Sequence, residues 1–134
     1  MTSHSMTLET RTGAMHLEFD EDTPTVVAVA SGHVGPKLAA WDLQQAGEFG
    51  RGHPEGWWYV VDTGAVGVPN PINLRLLKQI RRMPNITGYV VIAPKAPFRA
   101  IARVLRFISE PDAVVRTREE AMDFLAARRN TRST

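Results

Sequence analysis

Hydrophobic and polar positions alternate with a period of two near the amino-terminal end of the chain. Apolar Met15, Leu17 and Phe19 are interleaved with charged and polar residues across 14–20, and a Thr12-Gly13 turn joins this segment to residues 7–11. Strict alternation is typical of a strand with one face on the core and the other in solvent. The pattern therefore predicts a β-hairpin.

Three later segments lack this alternation and are continuously apolar, namely residues 25–31, 57–62 and 88–93. They are rich in β-branched and aromatic residues, which favours strands. An acidic turn, EDTP, precedes the first of them. Continuous apolar strands separated by helical segments indicate a sheet covered by helices, with parallel neighbours at its centre.

The first two helices are predicted from their start and stop signals. One follows Gly35-Pro36 and ends at Gly47, with its apolar side drawn through Leu38, Trp41 and Gln45. The other begins at Asn70-Pro71, where asparagine is an N-cap and proline occupies the first turn, and it runs to Pro84. Such caps and stops are the usual limits of helices in globular proteins.

Two further helices and a short strand complete the pattern. A helix begins near Pro97, with arginines on the side opposite its apolar stripe. A strand, AVVR, follows at 113–116. The last helix opens with Thr117-Arg118-Glu119-Glu120, a capping box in which Thr117 accepts from the Glu120 backbone and the Glu120 side chain reaches back. Trp57 and Trp58 are expected on opposite faces of their strand.

The element order predicted for the chain is β-β-β-α-β-α-β-α-β-α. It indicates an α/β fold, a single-domain sandwich in which a mixed central sheet with an N-terminal hairpin is packed against about four helices. The domain is placed at residues 7–129. Residues 1–6 are expected to be a flexible N-terminus and residues 130–134 a flexible tail.

Composition narrows the classes of function. The chain has 134 residues, 43% of them hydrophobic and 22% charged, which is ordinary for one globular domain. It has no cysteine, which excludes disulfides, thiolate metal sites and a cysteine nucleophile. No apolar stretch is long enough to span a membrane and the start has no leader pattern, so we predict a cytoplasmic protein.

Charge is divided unevenly between the two halves of the chain. Residues 1–67 carry three basic and nine acidic side chains, whereas residues 68–134 carry thirteen and five. The basic half indicates either solvated helix faces or a surface for an acidic partner or anionic lipid. Recognisable nucleic-acid motifs and an aromatic stacking platform are missing, so specific binding of nucleic acid is not expected.

The order and spacing of these segments resemble the STAS domains, specifically the SpoIIAA-like group of bacterial anti-sigma factor antagonists. Four stretches carry the resemblance, which covers residues 7–129: ASGHVGP at 30–36, YVVDTGAVGVPNPINLRLLKQ at 59–79, YVVIAP at 89–94 and TREEAMDFL at 117–125. The resemblance implies a non-enzymatic regulatory domain that binds a protein partner and needs no cofactor. Homo-oligomers are compatible with it.

One feature of the phosphorylatable members of this group is missing. Their loop before the second main helix ends in aspartate followed by serines, one of which accepts phosphate from a partner kinase. The corresponding residues here, Asn70-Pro71-Ile72-Asn73, carry no hydroxyl. A serine switch is therefore not expected at this position, and Thr63 is read as part of a turn.

The candidate sites follow from the resemblance and from the charges. The predicted partner-binding surface consists of Asp62, Thr63, Val68, Pro69, Asn70, Ile72, Asn73 and Arg75. Predicted contacts for an anionic group are Lys78, Arg82, Arg99, Arg103 and Arg106, which follow helical spacing on two successive helices.

Two other functions stay open at the level of sequence. The first is a module that binds a small ligand or lipid in an apolar pocket between sheet and helices. The second is an enzyme with an acid-base pair of His33 and Asp62 at the ends of adjacent strands, although no nucleophile motif accompanies them. The histidines have no metal-ligand spacing and the glycine-rich loop lacks a P-loop pattern, so neither a metal nor a nucleotide is predicted.

Overall fold

The computed structural model describes residues 3–66, 78–96 and 111–132. The strands within these ranges are β1 (Ser3–Glu9), β2 (Gly13–Asp20), β3 (Thr25–Gly32), β4 (Trp57–Val66), β5 (Ile86–Ile92) and β6 (Ala113–Val115). The helices are α1 (Pro36–Arg51) and α2 (Arg118–Arg132), and residues 78–80 are also helical. No helix in the described residues is long and apolar enough to cross a membrane.

The six strands form one mixed sheet in the order β1-β2-β3-β4-β5-β6. The pairs β1–β2 and β2–β3 are antiparallel, and β3–β4, β4–β5 and β5–β6 are parallel. The predicted mixed α/β sandwich with an N-terminal hairpin is therefore confirmed. Because short turns can join only antiparallel strands, the hairpin comes first and the parallel strands are separated by longer connections.

The hairpin begins earlier than the sequence pattern indicated. Ser3 already pairs with Asp20, so residues from Ser3 onward belong to β1 although 1–6 were expected to be flexible. The period of two in fact extends backward through Met6 and His4, which are the register partners of Leu17 and Phe19. At the end of β3, Gly32 adopts a φ of +69°, a conformation that glycine accepts without strain.

The two faces of the sheet carry separate clusters of buried side chains. Trp57 lies in the larger cluster, under α1, and Trp58 lies in the smaller one, under α2, so the predicted opposite placement is confirmed. Trp58 meets Phe124 of α2 edge to face at 5.9 Å between ring centroids. Both tryptophans are buried, which leaves neither as an exposed anchor for a partner.

Helix α1 starts at Pro36 as predicted but continues to Arg51 instead of ending at Gly47. Its buried side also differs from the predicted one, since it includes Asp42 and Phe49 whereas Gln45 is only half-buried. Glycine permits this close packing because a Cβ on Gly50 would come within 2.5 Å of the Pro84 carbonyl oxygen. The prediction that the helix ends at Gly47, which rested on glycine alone, was therefore wrong.

Helix α2 is capped by Thr117. The Thr117 hydroxyl accepts the backbone N–H of Glu120 at 3.1 Å, as the capping box predicted. The Glu120 carboxylate instead approaches the Thr117 hydroxyl at 3.4 Å, so the reciprocal half of the box does not reach the backbone. Ala121 and Leu125 are fully buried against the sheet, and the helix extends to Arg132, beyond the predicted domain limit of 129.

Candidate interaction surface at the end of strand β4

Strand β4 continues four residues past the predicted end at Asp62 and contains a β-bulge. Asp62 pairs with Val29, but the next pair along the two strands is Ala65 with Ser31. Strand β4 therefore has one residue more than β3 over this interval, which places the bulge at Thr63–Gly64. Bulges re-aim the chain at the end of a strand and are common beside functional sites.

The two described members of the predicted partner-binding surface stabilise this bulge. The Thr63 hydroxyl donates to the Ile92 carbonyl of β5 at 2.8 Å, and an Asp62 carboxylate oxygen accepts the Gly64 N–H at 2.9 Å. Both side chains are half-buried. Their hydrogen bonds hold the bulge in place, after which Ala65 and Val66 pair again with β3.

The remaining residues of that predicted surface lie outside the described ranges, namely Val68, Pro69, Asn70, Ile72, Asn73 and Arg75. The same is true of Arg99, Arg103 and Arg106 in the predicted anionic contact set. The other two members of that set, Lys78 and Arg82, are exposed. The sequence prediction for this surface therefore stays a prediction.

A neighbouring arginine that the sequence analysis left out is held in place. The Arg81 guanidinium pairs with the Asp112 carboxylate at 3.1 Å and lies 5.1 Å from the centre of the Tyr89 ring. Asp112 also accepts the Tyr89 backbone N–H at 2.9 Å. Arg81 thus joins the turn after residues 78–80 to the segment before β6, and its charge serves the fold.

The register separates the two residues of the enzyme hypothesis. Asp62 lies opposite Val29, four residues before His33, which corresponds to roughly 13 Å along a strand. The chain also turns toward β2 at this point, because the His33 N–H donates to the Thr12 carbonyl at 2.9 Å. The parallel strands do not bring this acid and base to the same position.

A buried carboxyl that the sequence analysis missed has a strongly raised pKa. Asp42 on α1 accepts a hydrogen bond from the Tyr59 hydroxyl of β4, and its second oxygen is buried without a hydrogen-bond partner in the structure. Burial raises the pKa of Asp42 from its ordinary 3.8 to about 7, against the opposing effect of the Tyr59 hydrogen bond. Burial and the adjacent carboxyl also raise the pKa of Tyr59 well above 10.

Position 42 could have been singled out from the helical pattern. It follows Leu38 by one turn and precedes Ala46 by one turn, so it falls on the buried side once the correct face is chosen. The predicted buried face, through Trp41 and Gln45, lies one residue before the observed one, through Asp42 and Ala46. A tyrosine in the central strand offers the hydroxyl that a buried carboxyl on that face requires.

A second buried polar contact closes the amino-terminal end of the parallel strands. His53, just after α1, approaches the Phe49 carbonyl through Nδ1 at 2.7 Å and the Glu21 carboxylate through Nε2 at 2.7 Å. Its ring stacks on Phe49 at 4.1 Å between centroids. His53 therefore links the end of α1 to the β2–β3 turn, which is a structural use of one of the four histidines.

Metal binding gains no support from the side chains that the structure describes. In residues 3–66, 78–96 and 111–132, no three or more histidine, cysteine, aspartate or glutamate residues are grouped to hold a metal ion. His16 is hydrogen-bonded to the Thr7 hydroxyl through Nδ1 at 2.6 Å. His4 is stacked on Phe19 at 4.7 Å.

An open cavity of about 450 Å³ lies between α2 and the first three strands, near the β2–β3 turn. Its lining is mixed, since Phe19, Val27 and Met122 contribute beside charged and hydroxyl side chains, so it is not the wholly apolar pocket of a lipid-binding module. Arg118 is paired with Glu18, and Arg129 donates to the Thr25 hydroxyl at 2.8 Å. The size suits a small ligand, whereas the hydroxyls, carboxylates and arginines suit a polar one.

The comparison with solved structures identifies the fold. A crystal structure of an anti-sigma factor antagonist from Mycobacterium paratuberculosis matches 93% of this chain and 95% of its own, with a TM-score of 0.54 and 15% sequence identity. The chain has the fold of an anti-sigma factor antagonist. No protein-family model and no curated protein matches the sequence.

The antagonist fold confirms the architecture that the STAS resemblance implied. The match extends over nearly all of both chains. At 15% identity the likeness concerns the course of the backbone and carries no residue roles. Order and spacing were the basis of the sequence resemblance, and these are the properties that the structural match retains.

Proposed function

We propose that this chain is a bacterial, cytoplasmic, non-enzymatic regulatory domain of the STAS/SpoIIAA-like type that works by binding a protein partner. The fold shared with an anti-sigma factor antagonist over 93% of the chain is the observation that carries the proposal. The basic carboxyl-terminal half favours an acidic partner surface, because its net charge of +8 follows an amino-terminal half of −6.

The contact surface in this proposal extends from Asp62 to Arg75. Its support is the bulge at Thr63–Gly64, which two defined hydrogen bonds hold near the start of this surface. Since residues 70–73 have no hydroxyl, the partner is proposed to bind without a serine phosphorylation switch there. Affinity would then be controlled by partner concentration or by another modification.

The experiment compares partner capture by the wild type with capture by Ile72→Glu, which places a charge in the proposed surface. Val114→Lys is the matched control, because it changes a 38% exposed apolar residue on β6, outside that surface. Captured proteins are identified by mass spectrometry and then titrated as purified pairs by calorimetry. We expect roughly ten-fold weaker binding or more for Ile72→Glu alone, the size of effect produced by disrupting an interface hot spot.

Equal loss of binding in both variants would indicate general damage to the domain, which circular dichroism and thermal melts of each variant would reveal. Unchanged affinity of the folded Ile72→Glu variant would contradict the proposed location. If no purified protein binds the wild type, the proposal of a protein-binding domain fails.

The open cavity favours a second candidate, a module that binds a small polar ligand. Its volume of about 450 Å³ and its arginines and hydroxyls support this class over a lipid. Native mass spectrometry of the purified protein tests it directly. A bound small molecule that is lost in Arg129→Met would support the cavity, whereas the bare protein mass, with no thermal shift from a set of polar metabolites, would count against it.

A further inference from the structure

Strand β1 forms one edge of the described sheet. In the part of the chain that the structure describes, no strand pairs with its outer side. It is seven residues long and its register with β2 has no shift. Natural proteins place charged residues, above all lysine, and proline on an edge to prevent strand pairing, and the sequence SHSMTLE has no lysine or proline and only one charged residue, Glu9. The edge is therefore a ready template for another strand.

The hydrogen bonds of the hairpin show which backbone groups of β1 point outward. The Thr10 N–H donates to the Gly13 carbonyl at 2.8 Å, so these two residues form a hydrogen-bonded pair. Such pairs alternate along an antiparallel ladder, so the next ones inward are at Leu8, Met6 and His4. The N–H and C=O groups of Ser3, Ser5, Thr7 and Glu9 consequently face away from β2.

We propose that two copies of this chain pair through β1 in antiparallel fashion about a two-fold axis at Met6, which makes a continuous twelve-stranded sheet. In this register Ser3 faces Glu9 and Ser5 faces Thr7 of the other copy. These are the residues with outward backbone groups, so the seam would contain about eight backbone hydrogen bonds. Closed two-fold pairing of this kind is the commonest form of homo-oligomer.

The side chains of β1 fit a second copy. Met6 and Leu8 are partly buried against the larger core cluster, and the proposed register places Met6 beside its own symmetry mate. Side chains approach most closely in such non-hydrogen-bonded pairs, so the apolar surface would become continuous across the seam. On the other face, Glu9 is the one charged residue of β1 and faces a serine, so no like charges meet.

The first test measures molar mass by light scattering and sedimentation from low micromolar to near-millimolar protein. We expect a concentration-dependent dimer for the wild type and a monomer for Ser5→Pro. This variant removes one outward N–H, and proline is tolerated on an edge strand at such a position. Val114→Lys, on the opposite edge strand β6, is the control and should still dimerise.

The second test addresses the register with paired charges. Ser5→Lys/Thr7→Lys places lysine opposite lysine twice across the seam and should weaken dimerisation about ten-fold or more. Ser5→Lys/Thr7→Glu places opposite charges at the same two positions and should dimerise at least as well as the wild type. Both variants are expected to fold, because Ser5 and Thr7 are exposed. Thermal melts check this expectation.

A wild type that stays monomeric throughout the concentration range would overturn the proposal. So would a dimer that survives Ser5→Pro and is lost in Val114→Lys, since this would place the interface on β6. If both lysine variants weaken the dimer equally, the register about Met6 is wrong. None of these outcomes depends on the proposed partner surface after β4.

Discussion

Replacing Asp42 with asparagine tests how strongly the core penalises a carboxylate. Asparagine keeps an oxygen for the Tyr59 hydroxyl but never ionises. In the wild type the pKa of this fully buried group is raised from 3.8 to about 7. A shift of about three pKa units corresponds to a free energy on the order of 4 kcal/mol between the protonated and ionised proteins.

The direction of the pH dependence follows from the raised pKa. The folded wild type holds the Asp42 proton at pH values where the unfolded chain has already released it. The stability from this group is therefore fully present below about pH 4, is lost as the pH rises toward 7, and changes little above that value. Asp42→Asn lacks this loss, so its advantage over the wild type grows with pH.

The assay is urea denaturation of both proteins at several pH values. Between about pH 5 and pH 8 the free energy of unfolding of Asp42→Asn should gain about 3 kcal/mol relative to the wild type. The asparagine amide meets the site where the second carboxyl oxygen has no partner, which adds a constant cost of about 1–3 kcal/mol at every pH. The trend with pH is therefore the readout.

Two further variants make the result specific. Asp123→Asn changes an exposed aspartate on α2 and should leave the pH trend of the wild type unaltered. Tyr59→Phe removes the hydrogen bond that lowers the Asp42 pKa, so it should move the loss of stability to higher pH. A difference between Asp42→Asn and wild type that is constant from pH 5 to pH 8 would refute the argument.

Four other substitutions test the packing and capping of the fold by the same denaturation assay. Gly47→Ala should stabilise the protein by about 0.5–1 kcal/mol, because a Cβ there meets its nearest atom only at 4.0 Å. Gly50→Ala should destabilise it by about 1–3 kcal/mol, because the added Cβ collides with Pro84. Equal effects of the two substitutions would contradict the packing described. Thr117→Ala should cost about 1 kcal/mol by leaving the Glu120 N–H uncapped, and a neutral result would remove the cap from the account. His53→Ala should lower the free energy of unfolding by about 1–3 kcal/mol, because it removes the link between Glu21 and the end of α1. If Glu21→Gln lowers the free energy of unfolding by as much, the stacking of His53 on Phe49 is unimportant.

The sequence was sufficient where one local pattern and the global fold agree. The alternation in β2, the continuous apolar strands and the Thr117 cap all predicted elements that the structure contains. The end of α1 was misplaced because glycine is both a helix terminator and the residue that permits close packing, and Gly47 does not reveal which applies. Only the approach of Pro84 to Gly50 makes the second role evident.

Contacts between distant segments were beyond the reach of local patterns. The bond between Asp42 and Tyr59 joins a helix to a strand, and Arg81 reaches Asp112 across thirty-one residues of sequence. The bulge at Thr63–Gly64 depends on the register with β3, which no periodicity within β4 determines. For the candidate surface, the sequence predicted the segment after Asp62 but not the hydrogen bonds that orient it.

The close contacts around Gly50 have a consequence for substitutions elsewhere in the chain. Trp57 Nε1 donates to the Pro84 carbonyl at 2.7 Å, and the Asn85 amide donates to the Gly50 carbonyl at 2.9 Å, so three segments are fastened at the amino-terminal end of the parallel strands. The residues proposed to bind a partner follow the opposite end. Substitutions in the residues that follow β4 therefore leave the contacts at the fastened end unchanged.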